Sequence, residues 1–158
     1  MFDITNFLIE AKKNTYANAN SVHAISSRRG SKDYHFEGKI EGKKAEYHDT
    51  YFGGENFIGE EVVYLNSEKP IWGMNYYGYA VVSSLSEEVM DNALRPALMQ
   101  VGADKSVLPL RGPSKYVNGD YLYTFENSGT MECFVGVERI YKNDRLVYEL
   151  HCAGGTLR

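Results

Sequence analysis

The stretch YHDTYFGGENFIGEEVVYLNSEKPIWGMNYYGY, which runs from Tyr47 to Tyr79, decides the fold class. Aromatic and β-branched residues alternate in it with polar residues, and glycine or proline separates the runs. This composition is typical of strands in the middle of an antiparallel sheet. The stretch therefore predicts a β-rich centre to which the flanking parts of the chain are added.

The same alternation recurs on both sides of this stretch and predicts a series of strands. The predicted strands cover residues 34–37, 45–52, 60–65, 71–79, 120–126, 131–141 and 146–152. Turn-forming residues separate them at Glu41-Gly42-Lys43, 66–70, Asn118-Gly119, Asn127-Ser128-Gly129 and 142–145. Strands joined by short turns are antiparallel neighbours, so an antiparallel sheet is expected.

Two helices are predicted, one before the strands and one between the two groups of strands. Asp3 can N-cap a helix that begins at Ile4 and ends near Tyr16. Its apolar stripe consists of Ile4, Phe7, Leu8 and Ala11. A long polar loop over residues 18–30 is expected to follow.

The second helix starts with the capping box Ser84-Leu85-Ser86-Glu87. Its predicted inward residues are Leu85, Val89, Ala93, Leu94 and either Ala97 or Leu98. Pro96 lacks an N–H and clashes with the carbonyl four residues earlier, so the helix is expected to kink or restart there. Gly102 is the predicted stop.

The order of these elements predicts a single α+β domain over residues 1–158. Its predicted architecture is a curved antiparallel sheet of about six or seven strands with two helices packed on it. A chain of 158 residues buries roughly 70% of its unfolded surface, which is enough for a core without disulfides or metals.

Charge and composition narrow the classes of partner. The formal net charge of −4 gives no general attraction to nucleic acid or to anionic membranes, and none is predicted as a partner. We find no signal peptide, apolar membrane-spanning run or cysteine-rich framework in the sequence, so a cytoplasmic location with reduced thiols is expected. The thirteen tyrosines predict surfaces that are partly apolar and partly wet.

Strand parity predicts a polar, tyrosine-rich face, because successive residues of a strand point to opposite sides. The predicted members of this face are Asp49, Tyr51, Glu61, Asn75, Tyr77, Tyr123, Glu138, Glu149 and His151. If the sheet curls, this face becomes a pocket in which the carboxyl pKa values are raised and acid–base chemistry becomes feasible. The alternative is that it is the solvated side of a half-buried sheet.

Other chemistries find less support in the sequence. Arg111 can bind a ligand carboxylate or phosphate through its planar guanidinium, or pair with an acid of the protein. A metal set built on Glu149 and His151, with Asp49 or Glu138, lacks the second histidine of a two-histidine, one-carboxylate site. No nucleophile motif is present, and no metal or cofactor is predicted.

The order of motifs resembles a known family. The motifs are residues 7–16 (FLIEAKKNTY), 51–61 (YFGGENFIGEE), 72–78 (WGMNYYG), Arg111-Gly112-Pro113 and 148–155 (YELHCAGG). Together they resemble a family of small bacterial domains of unknown function, which in some members follows a helix-turn-helix DNA-binding domain. The resemblance implies a sensing or ligand-binding role but assigns no site residues. A stand-alone version without a helix-turn-helix segment ahead of Met1 is expected for this chain, and DNA binding is not expected.

The sequence therefore predicts a small-molecule-binding or sensing domain of unknown ligand. The first alternative is an enzyme that uses Glu138, Glu149 or His151 as acid and base on a small polar substrate. The second is a protein-interaction module with an exposed tyrosine-rich surface, and a homodimer is left open.

Overall fold

A computed structural model describes residues 2–82 and 86–158. All eight strands lie in one open antiparallel sheet, in the order β1-β2-β3-β4-β8-β7-β6-β5. The strands are β1 (Lys32–Ile40), β2 (Lys43–Gly53), β3 (Phe57–Leu65), β4 (Lys69–Ala80), β5 (Lys115–Asn118), β6 (Tyr121–Thr130), β7 (Cys133–Lys142) and β8 (Arg145–Thr156). Two four-stranded meanders thus join where β4 pairs with β8.

Helix α1 (Thr5–Asn14) begins one residue later than predicted, and the Asp3 carboxylate accepts a hydrogen bond from the Thr5 N–H at 3.0 Å. The second helical segment consists of α2 (Glu87–Val89), a π-helical turn (Met90–Leu94) and α3 (Arg95–Leu98). The regular helix is therefore interrupted and restarts beside Pro96, as predicted. The predicted positions Ser84 and Leu85 lie outside the described residues.

Pro96 leaves a backbone carbonyl of the second helical segment free to bond to the sheet. Pro96 cannot donate to the carbonyl of Asn92, which lies four residues earlier. The side-chain amide of Asn118, at the end of β5, donates to that carbonyl at 2.9 Å instead. The interrupted helix is thus tied to the edge of the sheet, and Arg95 begins the restarted turn.

The helices cover one face of the sheet, and the apolar core lies between the helices and that face. Alternate residues of the central strands point into this core, as the period of a strand requires. Its fully buried members include Leu8, Ala11, Tyr47, Val63, Trp72, Ala93, Leu94, Tyr123, Phe125, Ile140, Tyr148 and Leu150. We call the helix-covered side the covered face and the other side the open face.

The fold class is confirmed, and the structure adds two local corrections. The sheet has eight strands rather than six or seven, because the short edge strand β5 was not predicted. The predicted turn at Asn127-Ser128-Gly129 is wrong, since β6 continues through these residues and pairs with β7 as far as Thr130. The chain turns at Met131 and Glu132 instead.

Of the helices in the described part of the chain, none combines the length and apolar composition that a membrane crossing requires.

Candidate functional site

Five charged side chains lie buried on the covered face, between the helices and the sheet. They are Lys12 from α1, Asp49 from β2, Glu61 from β3, Arg111 from the loop before β5, and Glu138 from β7. A buried charge is costly unless it is paired and hydrogen-bonded. The partners of these residues therefore separate structural ion pairs from groups that can act on a ligand.

Glu138 is completely enclosed and fully paired. Arg111 donates to it from Nε at 2.9 Å and from Nη2 at 2.7 Å, which is the bidentate geometry of a strong charge-assisted pair. The phenols of Tyr123 and Tyr148 donate to its two oxygens at 2.6 and 3.0 Å. The Gly112 N–H donates in turn to the Tyr123 hydroxyl at 2.8 Å. Both oxygens of Glu138 are thus occupied by the protein itself.

Asp49 lies in a looser arrangement. The Tyr76 hydroxyl donates to its Oδ1 at 2.6 Å. The nearby Glu61 forms a buried ion pair with Lys12, which brings a cation from α1 to the sheet. Only 5% of the Asp49 surface is exposed, yet no arginine or lysine of the described residues forms a salt bridge with it.

This environment shifts the acid chemistry of Asp49. Burial, followed by the negative charge of Glu61, raises its pKa from 3.8 to about 7, although the Tyr76 hydrogen bond and the charge of Lys12 act in the opposite direction. Asp49 therefore changes protonation near neutral pH. A carboxyl group in that state can donate or accept a hydrogen bond, depending on its guest.

A cavity of about 200 Å³ opens beside Asp49, between the sheet and the second helical segment. Its walls combine four aromatic rings with four charged side chains, and small-molecule sites likewise place polar groups among aromatic walls. The lining includes Tyr16, Lys32, Asp49, Tyr51, Phe57, Tyr76, Met90, Leu94, Arg95 and Arg111. The volume lies below the roughly 300–1,000 Å³ of drug-sized pockets, so a small guest is implied.

Arg95 borders this cavity, and its side chain contains a buried donor without a partner among the described residues. Its guanidinium lies over the Tyr16 ring at 5.2 Å, and Nη1 donates to Asp91 at 3.0 Å. Its Nε is buried and has no hydrogen-bond partner among residues 2–82 and 86–158. Because an unsatisfied buried donor is costly, an acceptor in the cavity would gain an interaction that the protein leaves open.

The predicted site residues divide between the two faces, so their placement on one face is wrong. Asp49, Tyr51, Glu61, Tyr123 and Glu138 lie on the covered face, and Arg111 joins them from its loop. Asn75, Tyr77, Glu149 and His151 lie on the open face. The parity of the site residues within their own strands was correct, but the register pairs Glu61 with Met74 and Glu138 with Leu150. The acids therefore share a face with apolar residues of β4 and β8. Parity failed at Val147, which a bulge in β8 buries beside Tyr148.

The open-face group forms a separate polar arrangement. Glu149 accepts hydrogen bonds from Tyr79 at 2.7 Å and from Arg139 at 2.7 Å, and one of its oxygens lies 2.7 Å from His151 Nε2. Asn75, Tyr77 and His151 border a shallow depression of about 490 Å³ with mostly apolar walls. The metal set considered from the sequence cannot form, because Glu149 and His151 lie on the opposite face from Asp49 and Glu138.

Two further features lie away from the Asp49 cavity. A groove of about 440 Å³ lies beside the start of α1 and is lined by Phe2, Ile71, Trp72, Leu157 and neighbouring residues, without any of the five buried charges. Residues that can hold a metal ion lie on the open face of β1 and β2, where His35, Glu46 and His48 come together.

Sequence reasoning missed the contribution of the helices to the cavity. Tyr16 and Arg95 were not identified, because a helical side chain reveals its cavity only after the helix is docked. One signal was available: Arg95 directly precedes Pro96, where the helix was expected to restart. Lys32 was missed because β1 begins two residues earlier than predicted.

The fold and this site define a small α+β domain with a polar, partly aromatic cavity between its sheet and its helices. The chain belongs to a family of unknown function: residues 49–157 match the family described as "Domain of unknown function (DUF5680)". The resemblance to an uncharacterised domain family is thereby confirmed. Neither the curated proteins nor the solved structures contain a significant match to the chain.

Proposed function

We propose that this protein binds a small anionic molecule with an aromatic or apolar body in the cavity between Arg95 and Asp49. The observation that carries the proposal is Arg95, which borders a partly aromatic cavity and whose buried Nε has no partner among the described residues. Arg111 makes two buried bonds to Glu138, whereas Arg95 makes one exposed bond to Asp91. Arg95 and Lys32 are therefore the cations of this cavity that can serve an anionic guest.

The two ends of the cavity suit different parts of such a guest. A carboxylate would accept from Arg95, where charge-assisted hydrogen bonds are strongest. The rings of Tyr51, Phe57 and Tyr76 would contact an aromatic body, and Asp49 would hydrogen-bond a polar substituent at the far end. A benzoate-like acid with one ring is the simplest molecule that combines these features.

A sensing role is consistent with this geometry. Tyr16 at the end of α1 and Arg95 in the restarted helix both border the cavity, so a guest would bridge two segments that are separate in sequence. The resemblance to bacterial domains that follow helix-turn-helix segments supports a regulatory use of such binding. We place this function in the cytoplasm, in partnership with a small molecule rather than with nucleic acid or a membrane.

The test uses benzoate and its neutral analogue benzamide as probes. Benzoate is expected to raise the melting temperature in a saturable way, and benzamide is expected to do so much less. Arg95→Gln should remove the advantage of benzoate, whereas Arg145→Gln, which is exposed at the start of β8, should keep it. Equal responses to the two probes, or an undiminished benzoate response in Arg95→Gln, would contradict the proposal.

The enzymatic alternative is less favoured by the positions of the residues on which it was based. Glu138 is sealed by Arg111 and two phenols, and the Glu149–His151 pair lies on the open face beside a shallow depression. A group that must exchange protons with a substrate has to reach it within hydrogen-bond distance. Glu138 cannot meet this condition without breaking its ion pair.

The interaction alternative is favoured by one observation on the open face. Ile58, Tyr77 and Val135 are about half exposed there, at 57%, 46% and 56%, and they border the same shallow depression. Exposed apolar patches often mark contact surfaces, and self-association as a homodimer would cover this one. Sedimentation of the wild type and of Val135→Lys tests it: a concentration-dependent dimer lost in the variant supports the homodimer, and a monomer at all concentrations rejects it.

A further inference from the structure

Strands β1 and β2 bring two histidines and two glutamates together on the open face. Their antiparallel register places His35 opposite His48 and Glu37 opposite Glu46. The tight turn between the strands fixes this register, with Glu41 and Gly42 at φ values of 50° and 80°. Directly opposite residues have Cβ atoms about 4.5–5.5 Å apart, so the four side chains share one small area.

Three of these residues have nearly the spacing of metal ligands. Glu46 Oε2 lies 3.5 Å from His48 Nε2 and 3.7 Å from His35 Nε2, and all three ligand atoms lie within 4.8 Å of one another. A tetrahedral zinc ion with bonds of about 2.0–2.1 Å holds its ligand atoms roughly 3.3–3.4 Å apart. Small side-chain rotations would therefore close the set around one ion.

The carboxylate is held so that one oxygen points at the imidazoles. Glu46 Oε1 accepts hydrogen bonds from Ser67 and from Lys44, the latter at 2.9 Å. Glu46 Oε2 is left facing His35 and His48. The His48 ring also packs edge-on against Tyr64, with ring centroids 5.3 Å apart. Outer contacts of this kind orient metal ligands.

We propose that His35, Glu46 and His48 bind a divalent transition-metal ion of the zinc class, with one coordination position left open. Imidazole and carboxylate together suit zinc, nickel and copper, whereas magnesium and calcium prefer oxygen ligands alone. The ion would join edge strand β1 to β2. The site lies on the opposite face of the sheet from the Asp49 cavity, so it stands or falls independently of the small-molecule proposal.

The test is calorimetric titration of ZnCl₂ into the tag-free, chelator-treated full chain. One ion per chain is expected, unaffected by a large excess of Mg²⁺, and Zn²⁺ should raise the melting temperature because it binds the folded state. Zinc affinity should fall about tenfold or more in each of the variants His35→Ala, His48→Ala and Glu46→Gln. Replacing residues that bind or orient a metal ion commonly lowers affinity by this amount. His151→Ala, on the same face, is the control and should change affinity less than twofold.

Nitrogen NMR of the histidine rings provides a second readout. Zn²⁺ should shift the Nε2 signals of His35 and His48 and leave that of His151 in place. Zinc binding that survives in the His35→Ala, His48→Ala double variant would overturn the proposal, as would equal competition by Mg²⁺. An absence of binding in the wild type would overturn it as well. Circular dichroism confirms that each variant is folded.

Discussion

Glu138 and Asp49 are both buried acids on the covered face of the same sheet, yet their surroundings differ in kind. Glu138 has two bonds from Arg111 and one from each of two tyrosines. Asp49 has one tyrosine, an acidic neighbour and a cavity. Glu138 is therefore part of the scaffold, whereas Asp49 borders the cavity that we propose as the binding site.

The difference shows why buried charge by itself does not identify a functional site. A saturated ion pair fixes geometry, because removing either partner leaves an uncompensated charge. An unsaturated acid beside a cavity has a raised pKa and spare hydrogen-bonding capacity, which are the features of residues that act on ligands. Substitutions at the two acids and at their tyrosine partners test this distinction.

Loss of the Glu138 charge should have the largest effect. Glu138→Gln leaves the buried Arg111 guanidinium without its counter-charge, and such a change costs about 3–5 kcal/mol of unfolding free energy. Urea denaturation followed by circular dichroism measures it. Glu149→Gln is the matched control, since the Glu149–Arg139 pair is partly exposed and surface pairs contribute only about 0–1 kcal/mol. Equal losses in the two variants would remove the distinction.

Two tyrosine-to-phenylalanine changes compare the clusters directly. Tyr123→Phe removes a hydrogen bond to Glu138 and the acceptor of the Gly112 N–H, and should cost roughly 2 kcal/mol. Tyr76→Phe removes one bond to Asp49 and should cost about 1 kcal/mol or less, because Asp49 also faces the cavity. Denaturant titrations at pH 6 give both values. A larger cost for Tyr76→Phe would reverse the assignment of the two clusters.

The pH dependence of stability should carry the signature of Asp49. Its folded pKa of about 7 exceeds the unfolded value near 3.8, so the folded state binds more protons between these values. The contribution of Asp49 to stability is full below about pH 4 and is lost as the pH rises through about 7. Glu149, whose pKa is lowered to about 2, acts in the opposite sense and at lower pH.

The measurement is the unfolding free energy of the wild type and of Asp49→Asn from pH 5 to pH 8, in buffer containing a chelator. The wild type should lose stability relative to the variant by on the order of 1 kcal/mol per pH unit in this window. Parallel curves for the two proteins would show that Asp49 is ionised throughout.

The sequence was sufficient for most of the fold because alternation and turn chemistry are local. Residues 47–79 predict three neighbouring strands, and Pro96 predicts the interruption of the second helix. Strand β5 (Lys115–Asn118) was not predicted because it is short and mostly exposed. A turn was wrongly predicted at Asn127-Ser128-Gly129 because these residue types favour turns. Pairing with β7 keeps them extended instead.

The site was less accessible to prediction, because it depends on which strands are aligned and on where the helices dock. Parity assigned the site residues to the correct sides of their own strands. The register that places Glu138 opposite Leu150, however, depends on the tertiary alignment of β7 and β8. The His35–His48 pair could have been found from sequence. A two-residue turn at Glu41 and Gly42 pairs Ile40 with Lys43, and counting back from there pairs the two histidines.

Arg95 differs most clearly from Arg111 in bordering the cavity with an Nε donor that has no partner among the described residues. The direct measurement is the ¹H–¹⁵N NMR signal of each arginine Nε during a benzoate titration. The Arg95 signal should move to saturation while the Arg111 signal, already bonded to Glu138, stays in place. An unmoved Arg95 signal at benzoate concentrations that saturate the chain, or a shift confined to Arg111, would contradict the proposed binding of the carboxylate at Arg95.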